Sequence, residues 1–219
     1  MISNYVYNIL LIVVLYKSFI LGRKYGFSVQ NNLFIYLLLT VIVETYSFII
    51  DKIDENIIIG LQYNLYLPLI CIFFYYFYSK SFHIEIIKTL SKISFLLCLA
   101  FIIFLTNFSG LDFDEKIAIA VMLFLICQSI LWYSNKILTA NEAKILNDPN
   151  FWISSGLLLW SCFGIFRCLP MYYFYYNDEE FSDFIKSNFD IVNIVFYSMI
   201  FISLLKYEYN FKRGIARSY

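Results

Sequence analysis

The chain has 219 residues, of which 61% are apolar and 21% aromatic, while only 15% are charged. Sixteen basic residues balance sixteen acidic ones, so the formal net charge is zero. Soluble domains usually carry about a quarter charged residues. This composition excludes a dissolved globular domain, a disordered chain and a secreted disulfide scaffold. It also excludes a nucleic-acid binder held by net positive charge, and no nucleic-acid partner is expected. An all-α integral membrane protein remains, with a mean hydropathy of +0.72 and the lipid bilayer as its first partner.

A spanning helix needs about 20 mostly apolar residues. Seven stretches meet that need: 5–21, 33–50, 57–78, 90–107, 117–137, 151–175 and 191–207. They are apolar all round, unlike the alternating strands of a membrane barrel, and predict a single seven-helix domain. The first has no basic region before it and no small-residue cleavage site after it, so it reads as a permanent span. The third carries Gly60, Asn64 and Pro68 on one stripe, and Pro68 is expected to kink it and free a carbonyl. An amphipathic stretch, 83–92, precedes the fourth and is expected to lie on the membrane surface. Asp148 and Pro149 suit the N-cap and first residue of the sixth, and Pro170 should bend its far end. On that helix Gly156, Trp160, Gly164 and Arg167 share a stripe where a neighbour can approach closely. The acidic run 178–183 lacks the spacing of a calcium loop and reads as a solvated connection.

Charge alternates along the connections. With the N-terminus outside and the C-terminus cytoplasmic, only Lys52, Lys116 and Lys186 among the loop cations fall on the outer side. Basic residues are retained on the cytoplasmic side, so this orientation is predicted, in a bacterial inner membrane. The acidic connections around residues 51–55, 112–115 and 178–190 all fall outside. No connection is long enough for a soluble domain, and only twelve residues follow the last stretch, so function is expected in the bundle, in short loops or through a partner.

A charge at membrane depth costs roughly 2.5–3.5 kcal/mol and needs a partner or a purpose. Lys17 and Lys206 lie near inner ends and can reach water. Glu44 and Arg167 are deeper, about 9 and 12 Å from the outer end at 1.5 Å per residue. They are opposite in sign and are expected to pair, directly or through amides. Asn64 sits at a similar depth, Asn4 and Asn8 share one face of the first helix, and Asn193 and Tyr197 share one face of the seventh. Gln128 is deeper, near the centre of the fifth. Glu44, Asn64, Arg167, Asn8, Asn193 and Tyr197 therefore form the candidate ligand site, a polar pocket opening outward and ringed by Tyr46, Tyr63, Tyr172 and Tyr173. The alternative is structural: one ion pair and several amide bridges that join helices.

Reaction chemistry is thinly represented. His83 is the one histidine and sits in a cytoplasmic connection, so neither a multi-histidine metal site nor a histidine-based dyad in the membrane is expected. Cys71, Cys98, Cys127, Cys162 and Cys168 all lie within spans and read as free thiols packed as small apolar residues. Ser154, Ser155 and Gly156 lack a base, and there is no glycine-rich phosphate loop. No catalytic residue, metal or cofactor is assigned, and an enzyme is the less favoured class.

Three stretches resemble a known group: Glu44-Thr45-Tyr46, Gln62-Tyr63-Asn64-Leu65-Tyr66-Leu67-Pro68, and the run from Asp148-Pro149 through Trp152 and Gly156 to Trp160. They are similar to small seven-span proteins of Bacteroidota, which resemble the N-terminal sensory regions of bacterial histidine kinases. The resemblance implies sensing or signalling, with output through a cytoplasmic partner because no kinase region follows. A membrane sensor or signalling accessory for a small ligand or lipid is thus the leading expectation. A small transporter or channel, and a membrane component of a defence or stress system, are the alternatives.

Overall fold

The structure, a computed structural model, describes residues 2–53, 60–105, 113–139, 145–169 and 177–214. Seven long helices run through them: α1 (Ile2–Tyr25), α2 (Leu33–Ile53), α3 (Gly60–Ser79), α4 (Glu85–Leu105), α5 (Glu115–Leu138), α6 (Pro149–Cys168) and α7 (Glu179–Lys212). Among the described residues there is no strand. Six of the helices are long and apolar enough to cross a membrane. The exception is α3, whose five tyrosines, with Gln62, Asn64 and Pro68, lower its hydropathy. The outward faces carry large apolar side chains, with Phe104 82% and Leu97 65% exposed, as expected of a multi-pass membrane protein with lipid as its solvent.

Local chemistry sets the helix ends. Gly26 leaves α1 at φ 91°, a short 3-10 turn over Phe27–Gln30 follows, and Asn31 and Asn32 turn the chain at φ 50° and 59°. Asn is among the few side chains that tolerate this left-handed region. Gln30 is buried and locks the turn onto α1: Ser18 Oγ donates to Gln30 Oε1 (2.7 Å), and Gln30 Nε2 donates to the Ser18 carbonyl (2.9 Å). Asp148 caps α6 as expected, accepting from the Asn150 N–H at 3.0 Å with Pro149 as first residue.

Two boundaries depart from expectation. The stretch expected on the membrane surface is not a separate element, because α4 begins at Glu85 and runs without a break. Asn135 Oδ1 on α5 accepts from the His83 and Ile84 N–H groups (3.1 and 3.4 Å), which fixes the turn just before it. Likewise the acidic run is no loop but the start of α7, which is 34 residues long. Asp178 caps it by accepting from the Phe181 N–H at 3.0 Å, and acids in a first turn favour a helix N-terminus. Helix α3 continues through Pro68. Pro170, Tyr172 and Tyr173 lie outside the described residues.

Packing closes a ring in the order α1, α2, α3, α5, α6, α7 and back to α1, with α4 outside it against α3 and α5. Small residues on α6 permit the close approaches. A Cβ on Gly156 would stand 2.9 Å from the Phe196 ring of α7, and one on Gly164 2.5 Å from the Met122 methyl of α5. Gln128, fully buried, clamps α4 to α5: its Oε1 accepts from Ser91 Oγ at 2.8 Å and its Nε2 donates to Ser94 Oγ at 2.9 Å. The five cysteines are free thiols.

Candidate functional site: a charged chamber inside the ring

Where α1, α3, α5 and α7 begin and α2 and α6 end, the ring encloses a chamber of about 540 Å³. All six ring helices line it, and α4 does not. Its wall reaches from Gly60 to Phe74 on α3, fourteen residues or about 21 Å of helix. Ligand pockets commonly fall between about 300 and 1,000 Å³.

Helical periodicity brings the polar groups to one place. Tyr36, Thr40, Glu44 and Ser47 recur at three- and four-residue steps along α2, and Lys186, Asp190, Asn193 and Tyr197 do so along α7. The hydroxyls on these stripes bridge helices. Tyr36 and Tyr197 are 3.3 Å apart across α2 and α7, and Thr40 and Tyr66 are 2.6 Å apart across α2 and α3. Ser47 Oγ donates to the Tyr63 hydroxyl at 2.9 Å and accepts from Gln62 Nε2. Ser3 Oγ donates to Asp190 Oδ2 at 3.2 Å, tying α1 to α7. Trp160 Nε1 donates to Asn193 Oδ1 at 2.8 Å, tying α6 to α7.

Glu44 and Arg167 both line this chamber, but no direct ion pair joins them. Direct pairing, the simpler expectation, is therefore corrected. Glu44 faces the Tyr7 and Tyr63 hydroxyls, with Arg167 and Asp190 acting on it electrostatically. The Arg167 guanidinium carbon lies 4.8 Å from the centre of the Phe189 ring, a cation–π contact within α7's reach. The two charges are held on separate supports and look into one space.

Of the other expected site residues, Asn8, Asn193 and Tyr197 line the chamber. Asn8 is tied locally, its Nδ2 donating to Asn4 Oδ1 at 2.7 Å. Asn64 does not line it: its Oδ1 accepts from the Asp114 N–H at 2.8 Å and fixes the entry to α5. Tyr63 belongs to the wall, whereas Tyr46 is 53% exposed and outside it. Sequence reasoning missed Tyr7, Tyr36, Tyr66, Lys186 and Asp190. The sequence reads the last two as part of a connection, although their spacing to Asn193 and Tyr197 is helical and the helix begins at Glu179.

The opposite end of the ring is built differently. Lys136 Nζ pairs with Asp148 Oδ2 at 2.6 Å, and Lys17 Nζ with Glu208 Oε2 at 2.5 Å. Tyr207 donates to Asn150 Oδ1 (2.7 Å) and accepts from Asn31 Nδ2 (3.3 Å), while Asn150 Nδ2 donates to Ser81 Oγ (3.0 Å). A smaller cavity of about 340 Å³ sits among these groups. Among the described residues no cluster of His, Cys, Asp and Glu could hold a metal ion. No family model, no curated protein and no solved structure matches this chain.

Proposed function

We propose that this protein is a seven-span sensor or signalling accessory of a bacterial inner membrane, with its N-terminus outside and its C-terminus in the cytoplasm. It binds a small ligand or lipid in the chamber and signals through a cytoplasmic partner. One observation carries the reading: Glu44 and Arg167 share a chamber wall without bonding each other. A structural ion pair would be closed. Charges kept apart at membrane depth are costly, and a ligand that meets both offsets that cost. The resemblance to seven-span sensory regions agrees with this role.

Helix α7 supplies the connection to the far side. It carries Asp190, Asn193 and Tyr197 in the chamber and Tyr207, Glu208 and Asn210 at the opposite end, in one unbroken helix. A ligand that moves α7 against α1 and α6 strains Lys17–Glu208 and Tyr207–Asn150, the contacts nearest a partner's access. The shift in population equals the ligand's preference for one arrangement over the other. A solute path has less support, because Asn64 and Gln128, the other candidates for its lining, are committed to Asp114 and to Ser91 and Ser94.

Two measurements test the proposal. In intact cells, with the five native cysteines replaced by alanine, a membrane-impermeant thiol reagent should label Asn193→Cys and spare Asn147→Cys. The reverse pattern overturns the orientation. Spin labels at Asn147→Cys and Lys212→Cys should then report a changed distance when Leu157→Trp fills the chamber. An unchanged distance distribution overturns the relay.

A further inference from the structure

Among the described residues the chamber wall carries side chains of both signs: Glu44 and Asp190 are acidic, and Arg167 is basic. A ligand with a single charge meets receptors of one sign and leaves the other sign at membrane depth without a counterion. A molecule with separated positive and negative groups meets both. Arg167 presents a forked set of donors that suits a carboxylate or phosphate, and its plane is braced by Phe189. Glu44, on α2, and Asp190, held by Ser3, are acceptors that suit an ammonium group. Deeper in the ring the wall turns apolar at Ile70, Phe74, Leu125 and Leu157. Polar head and apolar body thus have separate receptors within one space.

We propose that the ligand is a zwitterionic amphiphile, its carboxylate or phosphate on Arg167, its ammonium on Glu44 and Asp190, and its apolar part against Phe74 and Leu157. This rests on the ligand-binding reading above and narrows it. The same chemistry comes from two sources, a free amino acid or short peptide with an apolar side chain and the phosphoethanolamine head of a bilayer lipid.

Calorimetric titration of the purified full chain in detergent separates the outcomes. The free zwitterion is 2-aminooctanoate, the lipid form is octanoyl lysophosphatidylethanolamine, and octanoate and octylamine are the single-charge controls of matched chain. At least one zwitterion should bind about tenfold more tightly than either control, which corresponds to about 1.4 kcal/mol. Binding of 2-aminooctanoate points to the free source, and binding of the lysolipid alone points to the bilayer. Arg167→Gln should weaken the zwitterion and octanoate but not octylamine, and Glu44→Gln should do the reverse for the two controls. Equal binding of all probes, lost in Leu157→Trp, overturns the zwitterion and leaves the ligand-binding reading standing. No binding by any probe to monodisperse protein overturns both. The comparison among probes on the unaltered chain holds even where a variant fails to fold.

Discussion

At the end of the ring away from the chamber, opposite charges on different elements touch: Lys17 with Glu208 and Lys136 with Asp148. At the chamber end, Glu44 and Arg167 line the same space and stay apart. Both ends gather amides and tyrosines, so composition does not separate them. What separates them is closure. A closed pair spends its charge on joining two helices, and its removal is felt as lost stability. An open pair does not join its two helices to each other, although each member keeps its own neighbours, Glu44 the Tyr7 and Tyr63 hydroxyls and Arg167 the Phe189 ring. The same residue types thus close contacts between elements at one end and, in the function proposed above, stay available for recognition at the other.

Breaking the closed end should produce the largest effect. In Lys136→Ala the Asp148 carboxylate, 5% exposed, loses its cation, a loss of about 3 kcal/mol by analogy with broken buried pairs. The purified protein should melt markedly lower, and Asp148→Asn in the same chain should restore part of the loss. If Lys136→Ala melts with the unaltered chain, the contrast between the two ends fails. Overpacking the ring comes next. Gly164→Val drives a side chain into Met122 and should cost about 1–3 kcal/mol, read as a lower melting temperature without a change in helix content. Gln128→Leu leaves Ser91 and Ser94 without their side-chain partner between α4 and α5, a loss of about 1–2 kcal/mol, and because α4 stands outside the ring, ligand titration should be unaffected.

The smallest effect on stability is expected at the open end, and it sharpens the comparison most. Glu44→Gln and Arg167→Gln should each leave the melting temperature unchanged or raise it, because no closed ion pair is broken and a charge that is costly at membrane depth is removed. Thermal melts of both variants beside Lys136→Ala provide the check. If Arg167→Gln destabilises the protein as much as Lys136→Ala does, Arg167 is structural and the chamber loses its claim to recognition.

Much of this was legible before any coordinates. Runs of apolar residues near twenty long fall on all seven described helices, six of them long and apolar enough to cross a membrane, because a helix in lipid must satisfy its own backbone and be apolar on its outer faces. The Asp148–Pro149 start and the close-packed Gly156 and Gly164 are equally local, resting on capping chemistry and on the absence of a side chain. The cost of polar groups at depth singles out Glu44, Arg167, Asn193 and Tyr197, and the four line one chamber. Hydropathy was blind at the polar ends of helices. The first turns of α4 and α7 carry charges and read as surface stretch and loop, which hid Lys186 and Asp190 from the site.

Only the tertiary structure decided which polar residues share a space. Asn64 and Glu44 have similar depth and similar sequence signals, yet one is spent on the Asp114 N–H and the other faces the chamber. Depth along a helix is a one-dimensional quantity set by counting residues. Whether two groups meet also depends on the rotation of each helix and on which helices are neighbours, and those are fixed by side-chain packing around the ring. The chain by itself therefore determined the kind of solvent, the helices and the unusual charges. The placement of α4 outside the ring, and the gap between Glu44 and Arg167, came from how seven helices fit together.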